Sequence, residues 1–143
     1  VYKRQWQTSN LWQSKVRNKL KETKITLNEY LILETIYLLQ QENINITQQD
    51  ICKNASIDRS VVSLRVSNLE EKKLISKQQP QDKRSDSLIL TPAGYDLINN
   101  IIDNIVDLEN ELFNKLGSEI FNFTNSLKLL LGKKIRIRAK LND

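Results

Sequence analysis

Apolar residues recur at helical spacing along most of the chain, and four segments carry the signature of a helix start. In each, an apolar residue and a Ser, Thr or Asp cap precede a second apolar residue five positions after the first. The four segments are Ile25–Tyr30, Ile46–Ile51, Ile57–Val62 and Leu90–Tyr95. In the first, Thr26 and Glu29 have the spacing of a capping box. Four helices are therefore predicted to begin at these points.

The same pattern gives the extent of the elements. In the second predicted helix, the residues expected to face inward are Leu27, Tyr30, Leu31, Ile36 and Leu39. Gly117 is expected to cap the end of the long fifth helix, and the tail 132–143 fits a strand, a frayed helix or a disordered segment. The predicted helices cover about 4–22, 27–42, 48–55, 59–73, 92–116 and 118–131, and the predicted strands cover about 75–79 and 87–91.

The order of these elements indicates a mainly α fold. Two short helices joined by Asn54–Ile57 and followed by two strands form a winged helix-turn-helix, in which the strands make the wing. Between the strands, the polar segment Gln78–Asp86 contains the turn formers Pro80 and Asp82. We expect a single domain over 1–143, with the winged core at about 26–94 and dimerisation helices at about 4–22 and 92–131.

Composition argues against an enzyme. The chain of 143 residues contains no histidine, which removes the commonest general base and the commonest metal ligand. We therefore expect no catalytic residue, no metal site and no cofactor. The single cysteine, Cys52, has no neighbouring basic residue on its own helix face and is expected to pack in the core. The alternative is a redox-sensing regulator, which requires an accessible Cys52.

The charge distribution favours contact with a polyanion. The net charge is +5, and the first 24 residues carry seven basic groups against one acidic group. By contrast, residues 92–132 carry six acidic groups against two basic ones. Residues 47–91 carry eight basic groups against six acidic ones. A modestly basic centre beside an acidic helical segment suits a protein that touches a polyanion with one part and itself with another. No apolar run reaches the length of a membrane span and the start does not resemble a signal peptide, so we expect a cytoplasmic protein.

Helical geometry divides the second helix of the predicted motif into two faces. Val62, Val66 and Leu69 fall on one side and are expected to be core. The opposite face is small and polar with two apolar members, which suits a major groove and the methyl groups of thymine. Asn68 or Arg65 is expected to hydrogen-bond a base edge or a phosphate. The outer and flanking residues are Ser60, Val61, Ser63, Leu64, Arg65, Ser67, Asn68 and Glu71.

Two further groups are candidates for DNA contact. Lys83 and Arg84 lie in the predicted wing tip, where a basic side chain can enter the minor groove. The alternative is an ordinary polar hairpin tip. Gln48 and Gln49 lie at a helix N-terminus, where free backbone N–H groups suit phosphate.

Three segments in this order resemble the multiple-antibiotic-resistance regulator (MarR) family of winged-helix transcription factors. They are Thr47–Cys52, Asp58–Ile75, and Asp82–Arg84 with Leu88–Gly94. The resemblance implies a transcription regulator, most often a repressor, which a small molecule releases from DNA. It also implies that Arg84 is the minor-groove residue and that Asp82 orients it. Leu64 replaces a residue that is often basic in the family, so base preference does not carry over.

The apolar stripes of the flanking helices exceed what a small winged core can cover. A homodimer would cover them and would place two recognition helices about one duplex turn apart on a pseudo-palindromic site. The alternatives are a monomer whose flanking helices fold back on it, and a winged helix used for protein–protein interaction, which would tolerate the loss of Arg84.

Overall fold

The computed structural model describes residues 2–42, 45–79 and 86–132. The chain forms two compact units, one reaching Leu108 and the other beginning at Glu109, so that the boundary falls within one long helix. The fold is mainly helical with a two-stranded antiparallel sheet, as predicted. The helices are α1 (Tyr2–Leu20), α2 (Leu27–Leu39), α3 (Gln48–Ala55), α4 (Arg59–Glu71), α5 (Pro92–Phe113) and α6 (Ile120–Leu130), and the strands are β1 (Ile75–Gln78) and β2 (Ser87–Leu90).

Helices α2 and α3 begin at the capping residues that the sequence pattern predicts. Thr26 and Glu29 make a complete capping box at the start of α2, since the Thr26 hydroxyl accepts from the Glu29 N–H and the Glu29 carboxylate accepts from the Thr26 N–H. Thr47 and Asp50 make the same exchange at the start of α3. Ser56, at φ 53°, then turns the chain from α3 into α4. Local capping thus sets the helix-turn-helix connection.

The core of the first unit is built around α2. This helix contacts α1, α3, α4 and β2, so it is covered on more than one side. Ile32 and Leu33 are consequently buried, although the predicted inward set omitted them, whereas Leu31 and Leu39 are only half-buried. The buried apolar side chains are Val16, Leu20, Ile25, Leu27, Tyr30, Ile32, Leu33, Ile36, Ile46, Ile51, Val62, Val66, Leu69, Ile75, Leu88, Leu90, Ile98 and Ile105.

The wing hairpin is attached to the core at its base. Its strands pair antiparallel from Ile75 opposite Leu90 to Gln78 opposite Ser87. The Leu88 N–H donates to the Ile46 carbonyl at 2.7 Å, so the segment before α3 lies along β2. The predicted strands are confirmed within a residue of their ends.

The junction between the wing and α5 depends on one hydroxyl. The Thr91 hydroxyl donates to the Lys73 carbonyl at 2.7 Å and accepts from the Gly94 N–H at 3.1 Å. The Thr91 N–H donates to the Leu74 carbonyl at 3.0 Å. Gly94 is buried against Leu74, and an added Cβ at this position would lie 1.9 Å from the Leu74 carbonyl oxygen. The chain can pass here only because residue 94 has no side chain.

The second unit consists of the end of α5, a short 3₁₀ segment (Asn114–Glu119) and α6. The α-helix ends at Phe113, three residues earlier than predicted, and Gly117 lies inside the 3₁₀ segment with φ 54° and ψ −125°. Phe113 and Phe123 stack with their ring centroids 6.0 Å apart. None of the α6 side chains is buried, and the tail from residue 133 lies outside the described residues.

Candidate nucleic-acid interface

Helix α4 has the two faces that its sequence predicts. Val62, Val66 and Leu69 are fully buried against the core, which confirms the inner face. On the other side Ser60, Ser63, Leu64 and Ser67 are exposed, and Val61 and Asn68 are half-buried. Leu64 is 57% exposed although it is apolar. The outer face of α4 therefore presents hydroxyl, amide and methyl groups to solvent.

Asp58 caps α4 and fixes the direction in which the Ser60 hydroxyl donates its proton. Its carboxylate accepts a hydrogen bond from the Ser60 hydroxyl at 2.5 Å and another from the Ser60 N–H at 3.2 Å. The hydroxyl bond, followed by the backbone bond, lowers the pKa of Asp58 below its ordinary value, so the carboxylate is ionised at neutral pH. Since its proton is committed to Asp58, the Ser60 oxygen is available to accept a bond from a donor in the groove.

The start of α3 presents the two glutamines. Gln48 and Gln49 occupy its first two positions, the former half-buried and the latter exposed. The Asp50 N–H is already satisfied by the Thr47 hydroxyl at 3.2 Å. The glutamine side chains therefore lie beside the positive end of a helix whose cap is fixed.

Thr47→Ala is expected to lower the free energy of unfolding by about 1 kcal/mol, because it removes an N-cap that accepts a backbone hydrogen bond. Chemical denaturation measures this change. Thr8→Ala is the matched control, since the Thr8 hydroxyl only bonds the Arg4 carbonyl within exposed α1. Equal effects of the two substitutions would contradict a capping role for Thr47.

Arg65 is half-buried at the flank of α4, where the sequence pattern places it. Its guanidinium Nη1 lies 3.9 Å from a carboxylate oxygen of Glu29, and its side chain is 30% exposed. The other Glu29 oxygen accepts a hydrogen bond from the Lys72 ammonium at 2.7 Å. The sequence pattern indicates only the capping role of Glu29, because nothing local shows that α4 packs against the start of α2.

The wing-tip candidates Asp82, Lys83 and Arg84 lie outside the described residues. The strands that lead to them, β1 and β2, are in place on either side.

Cys52, the candidate for redox sensing, is a free thiol that is half-buried and packed against the core. In the part of the chain that the structure describes, no group of His, Cys, Asp or Glu could hold a metal ion, and no helix is long and apolar enough to cross a membrane.

Comparison with known proteins supports what the geometry suggests. The model of the MarR family matches residues 25–85, which span α2, the helix-turn-helix and the start of the wing. Over these residues the chain is similar to the MarR family. Members of this family are transcriptional regulators rather than enzymes. The winged helix-turn-helix of the chain is therefore a DNA-binding fold used in transcription regulation.

Individual relatives agree with the family assignment. The HTH-type transcriptional regulator YdcH of Bacillus subtilis is 28% identical over 127 residues, which are 88% of this chain and 86% of YdcH. MepR of Staphylococcus aureus in its complex with DNA superposes with a TM-score of 0.81 at 26% identity, covering 92% of this chain and 95% of MepR. BpsR of Bordetella bronchiseptica shares the fold. It superposes with a TM-score of 0.73 at 17% identity, covering 89% of this chain and 94% of BpsR.

Proposed function

We propose that the protein is a dimeric, sequence-specific DNA-binding repressor of transcription in the cytoplasm, which places α4 in the major groove and Arg84 in the minor groove. The observation that carries this proposal is the outer face of α4. From Ser60 to Asn68 this face carries small polar and apolar side chains that are exposed or half-buried, and the opposite face of the helix is fully buried. The DNA complex of the similar MepR supports the same use of the fold.

Each exposed group of α4 suits a particular contact. Leu64 and Val61 offer apolar surface to thymine methyl groups, and the Asn68 amide can pair with adenine in a bidentate manner. The oxygen of Ser60 accepts from an amino group, and the Ser63 hydroxyl donates to a base or a phosphate. These contacts favour a site rich in A·T pairs.

Contacts with the DNA backbone would complete the interface. Gln48 and Gln49 lie at the N-terminus of α3, where they and the first-turn N–H groups suit phosphate oxygens. In the wing, Lys83 and Arg84 supply positive charge for the minor groove, and Asp82 would orient Arg84. Such phosphate and groove contacts make binding depend strongly on salt.

The proposed dimer rests on apolar surface in the second unit. Along α6, the apolar residues Ile120, Phe123, Leu127, Leu130 and Leu131 recur at helical spacing. None of them is buried in a single chain, and Leu130 is 74% exposed. A contiguous apolar face of this kind marks an interaction site, and a second copy is the partner that fits a pseudo-palindromic operator.

Since the BpsR relative responds to 6-hydroxynicotinic acid, we also propose release from DNA by a small ligand.

The decisive experiment selects genomic fragments with the purified protein at about 50 mM and 200 mM salt, the range over which phosphate contacts lose most of their affinity. We expect enrichment of a pseudo-palindromic site, weaker binding at the higher salt, and an affinity loss of about tenfold in Arg84→Ala, the size of one groove contact. Arg4→Ala is the matched control because it removes the same charge from an exposed position near the start of α1. If nothing is enriched, or if both variants bind alike, the winged helix serves protein–protein interaction instead.

A further inference from the structure

A buried carboxylate lies between α2 and α4. Glu29 is 1% exposed, and one of its oxygens accepts hydrogen bonds from the Thr26 N–H at 3.0 Å and from the Lys72 ammonium at 2.7 Å. Its other oxygen lies 3.9 Å from the Arg65 guanidinium. A buried charge is stable only when it is paired in this way. Glu29 therefore ties one flank of the recognition helix to the start of α2.

The two cations lie on the same flank of α4. Arg65 and Lys72 are seven positions apart, which is two helical turns. Val61 and Asn68 lie about one turn to either side of Arg65, and both belong to the proposed base-reading surface. An Arg65 side chain that was not held by Glu29 would therefore reach the groove beside them.

Charge holds Arg65 in its present place more than hydrogen bonding does. Its Nε is buried and has no hydrogen-bond partner among the described residues. Its guanidinium lies 3.9 Å from the Glu29 carboxylate, a distance longer than a hydrogen bond. Neutralising Glu29 would thus remove the main attraction on this side chain.

We infer that Glu29 is a positioning residue that determines specificity, because it withholds Arg65 from the DNA bases. Apart from Arg59 at its first position, Arg65 is the only cation of α4. Arginine is the usual partner of guanine in the major groove, whereas apolar groups and asparagine suit thymine and adenine. The wild-type helix therefore favours A·T pairs because the Glu29 carboxylate holds Arg65 away from the bases. This inference rests on the proposed function.

The test is a change of base preference in Glu29→Gln. Glutamine keeps an oxygen that can accept from the Thr26 N–H but loses the charge that attracts Arg65. Selection from randomised duplexes is expected to bring guanine into at least one position under α4. Relative to the wild-type site, affinity for the guanine-containing site should rise about fivefold or more, the effect of one good base contact.

Two further variants test whether the change in base preference comes from the release of Arg65 or only from the loss of a negative charge. Glu70→Gln makes the same charge change on α4, where Glu70 pairs with Lys77 at 3.0 Å on the opposite flank. It is expected to gain no preference for guanine. The double variant Glu29→Gln with Arg65→Gln is expected to lose the guanine preference that the single variant gains. Thermal unfolding of each variant confirms that it is folded.

The wild-type protein provides a readout that does not depend on any variant. In a ¹⁵N-labelled sample, the Arg65 Nε–H resonance is expected to keep its chemical shift when the selected operator is added. A large shift of this resonance, or an unchanged site in folded Glu29→Gln, would overturn the inference. So would a gain of guanine in Glu70→Gln or its persistence in the double variant. Failure of the wild-type protein to select any site would instead overturn the proposed function.

Discussion

Gly94→Ala is expected to destabilise the protein by more than about 4 kcal/mol, at the severe end of single substitutions. The new Cβ would lie 1.9 Å from the carbonyl oxygen and 2.8 Å from the carbonyl carbon of Leu74. Both are backbone atoms, so no side-chain rotation relieves the overlap. To make room, the start of α5 must move away from the end of α4, which breaks the Thr91 bonds to Lys73 and Leu74. Chemical denaturation followed by circular dichroism measures the loss.

Gly117→Ala serves as the control for the same substitution. Gly117 has φ 54°, which disfavours an L residue, but nothing lies within 4 Å of an added Cβ. Its cost is therefore confined to backbone strain, on the order of 1–3 kcal/mol. A Gly94→Ala variant that unfolds no more easily than Gly117→Ala would show that Leu74 yields, and the close approach would not be a constraint.

Leu130→Glu is expected to convert the proposed dimer to a monomer and to lower affinity for a two-half-site operator by about a hundredfold or more, because linked half-sites gain avidity of that order. The carboxylate would be buried without a partner in the interface, whereas in a single chain residue 130 is 74% exposed and tolerates charge. Analytical ultracentrifugation measures the mass, and titration of a labelled operator measures the affinity.

Asn122→Glu is the matched control on the same helix. Asn122 is exposed and lies off the apolar stripe of α6, where it bonds Glu119. It is expected to keep the dimer and the operator affinity of the wild-type protein. A dimeric Leu130→Glu with unchanged affinity would place the dimer contact elsewhere, without affecting the assignment of α4 to DNA.

Sequence predicted the elements well wherever a local signal ends or begins them. The bounds of α3 agree with the prediction because Thr47 and Asp50 cap one end and Ser56 turns the chain at the other. The inner face of α4 was predicted equally well, since a helix packed on one side keeps its apolar period. These features depend on residues within one or two turns of each other.

Features that depend on packing between distant segments were not predicted. Ile32 and Leu33 are buried because α2 has neighbours on several sides, which a one-sided helical pattern does not include. The pairing of Arg65 with Glu29 was not predicted because Glu29 lies 36 positions earlier in the chain. The end of α5 at Phe113, whose ring stacks on Phe123 in the second unit, was likewise not predicted.

The attachment of the wing at its base has a consequence for evolution. β2 is held by β1 on one edge and by Ile46 on the other, and Thr91 joins its end to Lys73 and Leu74. All of these bonds are made by residues outside the segment 80–85. Insertions, deletions and exchanges within that segment therefore leave the attachment untouched. Under the proposed function, lineages of this protein can therefore change their operator preference through the wing while the bonds that hold β2 in place are kept.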